Sequence, residues 1–186
     1  MSAVLVISGG RSSTSTTEKV AEHVLRHVVA RGHTAEHLRV RELPARALVA
    51  GDPADPAIGR AIEEVAAADG IVLATPIYQA AYSGLLKAFL DLLPQFALSG
   101  KSVLPLATGG SLAHVLALDY ALRPVIQSLA AGHVVRSTFV LGGHVVTSKD
   151  GVTVDDHTAG LLRDAVDDFE WSLSARRQPT TVAHST

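Results

Sequence analysis

The chain has 186 residues, 47% of them apolar, with sixteen Lys and Arg against eighteen Asp and Glu and no cysteine. That length suits one domain with a sizeable core, and a net charge of −2 leaves no cationic surplus for neutralising phosphates, so no nucleic-acid binding is expected. Without cysteine, disulfides, thiolate metal sites, iron–sulfur clusters and thiol nucleophiles are excluded.

The N-terminus, MSAVLVISGG, lacks a basic leader, and no apolar stretch approaches the roughly 20 residues of a membrane span. A cytoplasmic protein with no membrane partner is expected. Residues 4–8 form a β-branched run that stops at Gly9-Gly10, the pattern of a buried strand entering a loop. After RSSTSTT, residues 18–31 predict a helix with Val20, Ala21, Val24, Leu25 and Val28 on one face, ended by Gly32. Residues 38–43 predict a second strand, partly exposed because Arg39, Arg41 and Glu42 interrupt it. Residues 44–56 read as a loop rich in Pro, Gly and Asp, and 57–67 as an Ala-rich helix.

Residues 70–75 (GIVLAT) predict a buried strand closed by Pro76. Residues 84–93 predict a helix whose leucines cover most of its circumference, a pattern that suggests a subunit contact. A further strand is expected over 102–107, ending at Thr108-Gly109-Gly110, then a long helix over 112–129 interrupted by Pro124. A last strand over 134–141 leads through GGH and a small hairpin across Lys149-Asp150-Gly151 to a final helix from 155 to about 173. One domain over residues 1–175 is expected, with 176–186 a disordered tail because it has no periodicity.

Strand and helix alternate throughout, which implies a parallel sheet with helices on both faces. In such sheets ligands sit beyond the carboxyl ends of the strands, so loops 8–17, 75–84 and 108–114 carry the search for chemistry. The first, SGGRSSTSTT, joins two glycines, six further hydroxyl side chains and one Arg to a helix N-terminus. Hydroxyls, free amides and a helix dipole together make a phosphate site. Neither a Walker loop nor the dinucleotide G-x-G-x-x-G is present.

The second loop, TPIYQAAYSG, holds two of the three tyrosines, Tyr78 and Tyr82, where a planar ligand would be flanked by rings, unless both pack on neighbouring helices. The third, TGGSLAH, lets backbone approach a ligand at Gly109 and Gly110, with Ser111 placed to cap the next helix. Its resemblance to a nucleophile elbow is opposed by the missing last glycine and the short sheet. His114 lies one turn further on, facing either ligand or solvent. His23 and His27 have a metal-ligating spacing, but no third ligand accompanies them, so a solvated helix face is expected.

The strings TPIYQAAYSGLLKAFLDLLPQ, GKSVLPLATGGSLAH and LALDYALRPV closely resemble the NAD(P)H-dependent FMN reductases of two-component sulfonate monooxygenase systems, within the flavodoxin-like reductases. The likeness is continuous over about residues 70–131 and looser over 4–173. It implies a flavodoxin-like α/β fold, a five-stranded parallel sheet of order 2-1-3-4-5 with helices on both faces. It implies that FMN binds with its phosphate on the first loop, at Ser8, Arg11, Thr14, Ser15 and Thr16. The second and third loops would hold the ribityl chain and isoalloxazine, through Thr75, Pro76, Ile77, Tyr78, Tyr82 and Ser83, and through Thr108, Gly109, Gly110, Ser111 and His114.

That family's first loop usually reads G-S-x-R-x-x-S-x-S/N, and here Gly9 stands where the serine would be. No catalytic residue and no metal are implied, because hydride passes from NADPH or NADH to flavin and the cofactors carry the reactivity. The resemblance further implies a homodimer or homotetramer, a flavin-dependent monooxygenase as partner, and a one-residue π-type bulge at Tyr120. The alternatives are an FMN-retaining quinone or azo reductase and, from another class, a flavodoxin-like electron carrier, which the near-neutral charge opposes.

Overall fold

The computed structural model describes residues 1–148 and 151–175. Its centre is a parallel sheet built from β1 (Ala3–Ser8), β2 (Thr34–Arg39), β3 (Gly70–Tyr78) and β5 (Ser102–Gly109), in the order β2-β1-β3-β5. The fifth position is shared by two short strands, β6 (His133–Val134) and β7 (Thr138–Leu141), both parallel to β5. The expected order is therefore present, with the last strand broken at Val135-Arg136-Ser137. A two-residue strand, β4 (Ala81–Tyr82), folds back antiparallel on β3.

Alternation along the strands sends side chains to two cores. Leu5, Ile7, Ile71, Leu73 and Val103 face one side, against α3 (Pro56–Ala67), α4 (Gly84–Leu90) and α5 (Arg123–Ser128). Val4, Val6, Val72, Leu104 and Leu106 face the other, against α1 (Thr16–Ala30) and α6 (Asp156–Ala175). Period 2 in the strands and period 3.6 in the helices meet in two apolar layers, as this architecture requires. Lys101 joins α3 to the start of β5, its Nζ donating to the carbonyls of Ala66 at 2.8 Å and Ala68 at 2.6 Å.

Several expectations are corrected. The second strand begins at Thr34, four residues before the predicted start. Gly32, at φ +84°, turns the chain at once after α1, and Thr34 N–H then bonds Ser2 O at 3.1 Å to begin pairing with β1. The segment predicted as a loop holds a short helix, α2 (Ala45–Ala50). β3 does not close at Pro76 but runs through it to Tyr78, Pro76 lying opposite Thr108.

The long helix predicted over 112–129 is instead a 3-10 turn at Leu112–His114, a π turn at Leu118–Leu122, and α5. The leucines of α4 face the chain's own core, Leu86 and Phe89 being fully buried, so this helix offers little apolar surface to a partner. The hairpin after GGH is present as β8 (Val145–Ser148) and β9 (Gly151–Val154). Its turn residues Lys149 and Asp150, and the tail expected over 176–186, lie outside the described residues. Among the described residues, no helix is long and apolar enough to cross a membrane.

Candidate functional site

The carboxyl ends of β1, β3, β5 and β7 open into a cleft of about 310 Å³. Its first wall is the start of α1, with Ser15, Thr16 and Thr17. Ser15 caps the helix, its Oγ accepting from Glu18 N at 3.3 Å. The first-turn amides of Thr16 and Thr17 have no acceptor within the helix, and the helix dipole adds partial positive charge there. The second wall is Pro76, Ile77 and Tyr78 from β3, and the third is Thr108, Gly109, Gly110 and Gly142. Three glycines leave most of this wall as bare backbone, and at Gly109 the reason is steric, since a side chain there would come within 2.7 Å of the Phe139 ring.

Two contacts brace the walls. Thr17 Oγ1 and Thr108 Oγ1 share a buried hydrogen bond of 2.6 Å, joining α1 to the end of β5. Arg11 lays its guanidinium over the Tyr78 ring, 4.2 Å from the centroid, joining the first loop to the second. Tyr78 then turns directly into β4 through Gln79 and Ala80, which both have positive φ, at 48° and 62°. A two-residue hairpin needs those angles and normally uses Asn and Gly to reach them, so this rim of the cleft is strained.

The residues expected in the site divide into three groups. Ser15, Thr16, Pro76, Ile77, Tyr78, Thr108, Gly109 and Gly110 line the cleft together. Arg11 and Thr14 lie exposed on the first loop, Thr14 Oγ1 being 2.9 Å from Ser12 Oγ. Ser111 caps the 3-10 turn through Ala113 N, and His114 lines a neighbouring groove with Ala80, Leu116 and Tyr120.

The third group is buried or half-buried support. Ser8 Oγ donates to Glu18 Oε1 at 2.5 Å. Thr75 Oγ1 donates to Pro76 O and accepts from Ser83 N, each at 3.0 Å. Ser83 Oγ donates to Gly9 O at 2.9 Å and caps α4. Tyr82 pairs with Ile77 across the hairpin, and burial raises its phenol above the usual range. These hydroxyls knit the first two loops together from below.

The position where the resembling family carries serine has a local explanation. A side chain on Gly9 would meet Ser83 Oγ at 2.6 Å and Leu86 Cβ at 2.7 Å, so this chain has no room for one. Sequence reasoning missed Thr17 and Gly142. Thr17 was hidden in a run of hydroxyl residues, and Gly142 opens the loop after the last strand, whose carboxyl end was itself a signal.

Tyr78 is the one ionisable side chain lining the cleft among the described residues. A smaller cavity of about 180 Å³ lies under the amino ends of β1 and β2, where burial and then Glu36 raise the Glu64 carboxyl. Neither a hydroxyl cradle nor a helix N-terminus faces it.

A cleft at the switch point of a 2-1-3-4-5 sheet, with a helix N-terminus on one wall, defines a flavodoxin-like α/β protein. The flavodoxin of Streptococcus pneumonia shares that fold at a TM-score of 0.60 and 15% identity, over 91% of this chain and 98% of its own. Residues 2–145 match the family model for NADPH-dependent FMN reductase, and the chain belongs to that family. It is similar to an FMN reductase (NADPH) of Pseudomonas putida, 36% identical over 95% of this chain and 90% of that one. It is also similar to the apo structure of an NADH:FMN oxidoreductase (EMOB), 48% identical with a TM-score of 0.87, over 97% and 94% of the two chains.

Proposed function

We propose that this chain transfers a hydride from NADPH or NADH to FMN, and that FMN occupies the cleft at the carboxyl ends of β1, β3, β5 and β7. The observation that carries the reading is the pairing of two unlike walls. Hydroxyls and free amides at the start of α1 suit a phosphate monoester, and bare glycine backbone opposite suits the edge of a planar ring. Ser15, Thr16 and the α1 amides would take the phosphate, with Arg11 and Thr14 at the loop's outer edge. Pro76, Ile77, Tyr78, Thr108, Gly109 and Gly110 would hold the rest, and Ser8, Thr75, Tyr82 and Ser83 fix the loops that present them.

FMN bound there would supply the redox chemistry. The chain's own part is to bind, to orient and to exclude water. The N–H groups of Gly109, Gly110 and Ser111 are the donors available to steady negative charge on the flavin ring, and Tyr78 covers a flank. Reduced flavin is then handed to a partner monooxygenase, as the resemblance implies, and FMN is an exchangeable substrate. A relative named for NADPH and a structure named for NADH leave coenzyme preference to assay.

The test is a steady-state assay with NADPH and NADH, each paired with FMN, FAD and a quinone, on protein whose 450 nm absorbance is recorded as purified. Consumption of nicotinamide with FMN, in protein that purifies largely colourless, is expected. Retained flavin with ping-pong reduction of quinone would replace this reading by the quinone reductase. Failure to oxidise either nucleotide with FMN would replace it by the electron carrier.

A further inference from the structure

Beneath the phosphate end of the cleft lies a carboxylate that the proposed chemistry does not use. Glu18 is the third residue of α1, and only 1% of it is exposed. Its Oε1 accepts from Ser8 Oγ at 2.5 Å, and a Cβ built on Gly10 would stand 3.2 Å from that same oxygen. The carboxylate is thus pressed against the loop that would cradle the phosphate. Arg39 Nε at 3.3 Å and Arg41 Nη1 at 3.0 Å form ion pairs with Oε2.

Those cations are not free to serve an anion in the cleft. Arg39 is also paired with Glu22 at 3.1 Å, and Arg41 with Glu42 at 2.7 Å. Three carboxylates therefore face two guanidinium groups, and the cluster has no positive surplus. The remaining neighbour, His37, is neutral at pH 7, since burial and then Arg39 lower it to about 4. Its Nε2 lies 2.9 Å from Ser8 Oγ. Because Ser8 donates its proton to Glu18, the imidazole must donate to Ser8, which fixes the tautomer with the proton on Nε2.

We infer that Glu18 is a specificity-determining residue that holds down the affinity of the cleft for phosphate-bearing flavin. This rests on the reading that the FMN phosphate docks at the start of α1. A carboxylate in the first turn and a phosphate at the same terminus compete for one positive helix end, and they repel each other through a medium that screens poorly. A site built to retain FMN would put a neutral or cationic side chain there. A site built to release FMN after each turnover gains from a buried negative charge, because that charge weakens the phosphate contact and leaves the ring contacts alone.

The experiment compares FMN with riboflavin, which lacks the phosphate, by fluorescence titration of wild type and Glu18→Gln. The glutamine keeps the shape and still accepts from Ser8. FMN affinity should rise about tenfold, with FMN dissociation slowed to match, while riboflavin changes little. A merely structural role would move both flavins together, and an unchanged or reduced FMN-to-riboflavin preference overturns the proposal.

Arg39→Gln gives an independent arm that keeps the carboxylate but takes away one of its two cations, at a partly exposed position. Removing a neutralising cation should lower the preference for FMN, and no change or a rise there also overturns the proposal. If wild type itself shows no preference for FMN over riboflavin, the phosphate placement fails, a result distinct from a normal preference that Glu18→Gln leaves untouched.

Discussion

Thr17 and Thr108 set the width of the cleft through one hydrogen bond between two buried hydroxyls. Thr17→Val would strand the Thr108 hydroxyl without a partner, and burying an unsatisfied hydroxyl costs about 1–3 kcal/mol. The double variant Thr17→Val, Thr108→Val removes both polar groups and should recover much of that loss, a pattern that urea denaturation of the three variants would reveal. At this scale the sequence was only half legible. The crowd of hydroxyls in SGGRSSTSTT pointed to a phosphate end, and Ser15 and Thr16 do line the cleft. Nothing in the letters says which way a strand-end hydroxyl turns. Ser8 and Thr75 face inward and Thr108 faces the cleft, because that choice depends on pleat and on the neighbour across the loop.

Among the elements, the segment after β5 departs most from expectation and bears most on function. Pro124 has no N–H to offer the carbonyl of Tyr120, and the N–H of Arg123 reaches back five residues to Leu118 O. Arg123 then ties the π turn to the gap in the last strand, donating to Asp119 Oδ1 at 3.1 Å, Val135 O at 3.2 Å and Ser137 Oγ at 3.1 Å. The π turn was legible through resemblance, while its reach was not, since apolar periodicity alone made one helix of residues 112–129. β2 was misplaced for a related reason: TAEHLR has few apolar residues, and its pairing rests on backbone bonds that leave no periodic trace.

Tyr120 protrudes, 79% exposed, in the same groove as His114. Deleting it should restore regular helix register and make the protein retain flavin as purified, with slower NADPH:FMN turnover. Absorbance at 450 nm and steady-state rates, alongside Tyr120→Ala, check this; unchanged values in both variants would make Tyr120 structural only. The strained hairpin gives a second expectation. Gln79→Asn with Ala80→Gly fits the positive φ angles and should stabilise the fold by about 1 kcal/mol, read as a higher urea midpoint.

Over the whole molecule, acid is the condition to which the fold is most exposed. His37 and His23 are both lowered to about 4, in each case first by burial, then by Arg39 for His37 and by His27 for His23. The unfolded chain takes up protons near pH 6.5 that the folded chain refuses until about pH 4. Stability should therefore be full above pH 7, fall between 6.5 and 4, and level off below, by at most roughly 3 kcal/mol per histidine. Urea midpoints across that range would show the decline, and His37→Gln should flatten it. Assembly is the other expectation at this scale. Leu112, Val115, Leu116 and Tyr120 leave a contiguous stretch of chain exposed and apolar beside the cleft, where α4 does not. Analytical ultracentrifugation at micromolar concentration should find a dimer or tetramer, and Leu116→Asp should reduce it; a fully active monomer would refute the assembly.

The collision that bars a side chain from position 9 has a consequence for how this sequence can change. Ser83 and Leu86, the two obstacles, belong to the cap and first turn of α4, so no single replacement at either one clears the way. Gly9→Ser should be deleterious alone and still deleterious beside Ser83→Ala, because Leu86 Cβ remains. Relief requires both obstacles to go together, or the start of α4 to shift. Position 9 and the start of α4 thus fit together as one packed unit, so a side chain at 9 is a demand on residues 83 and 86 at once.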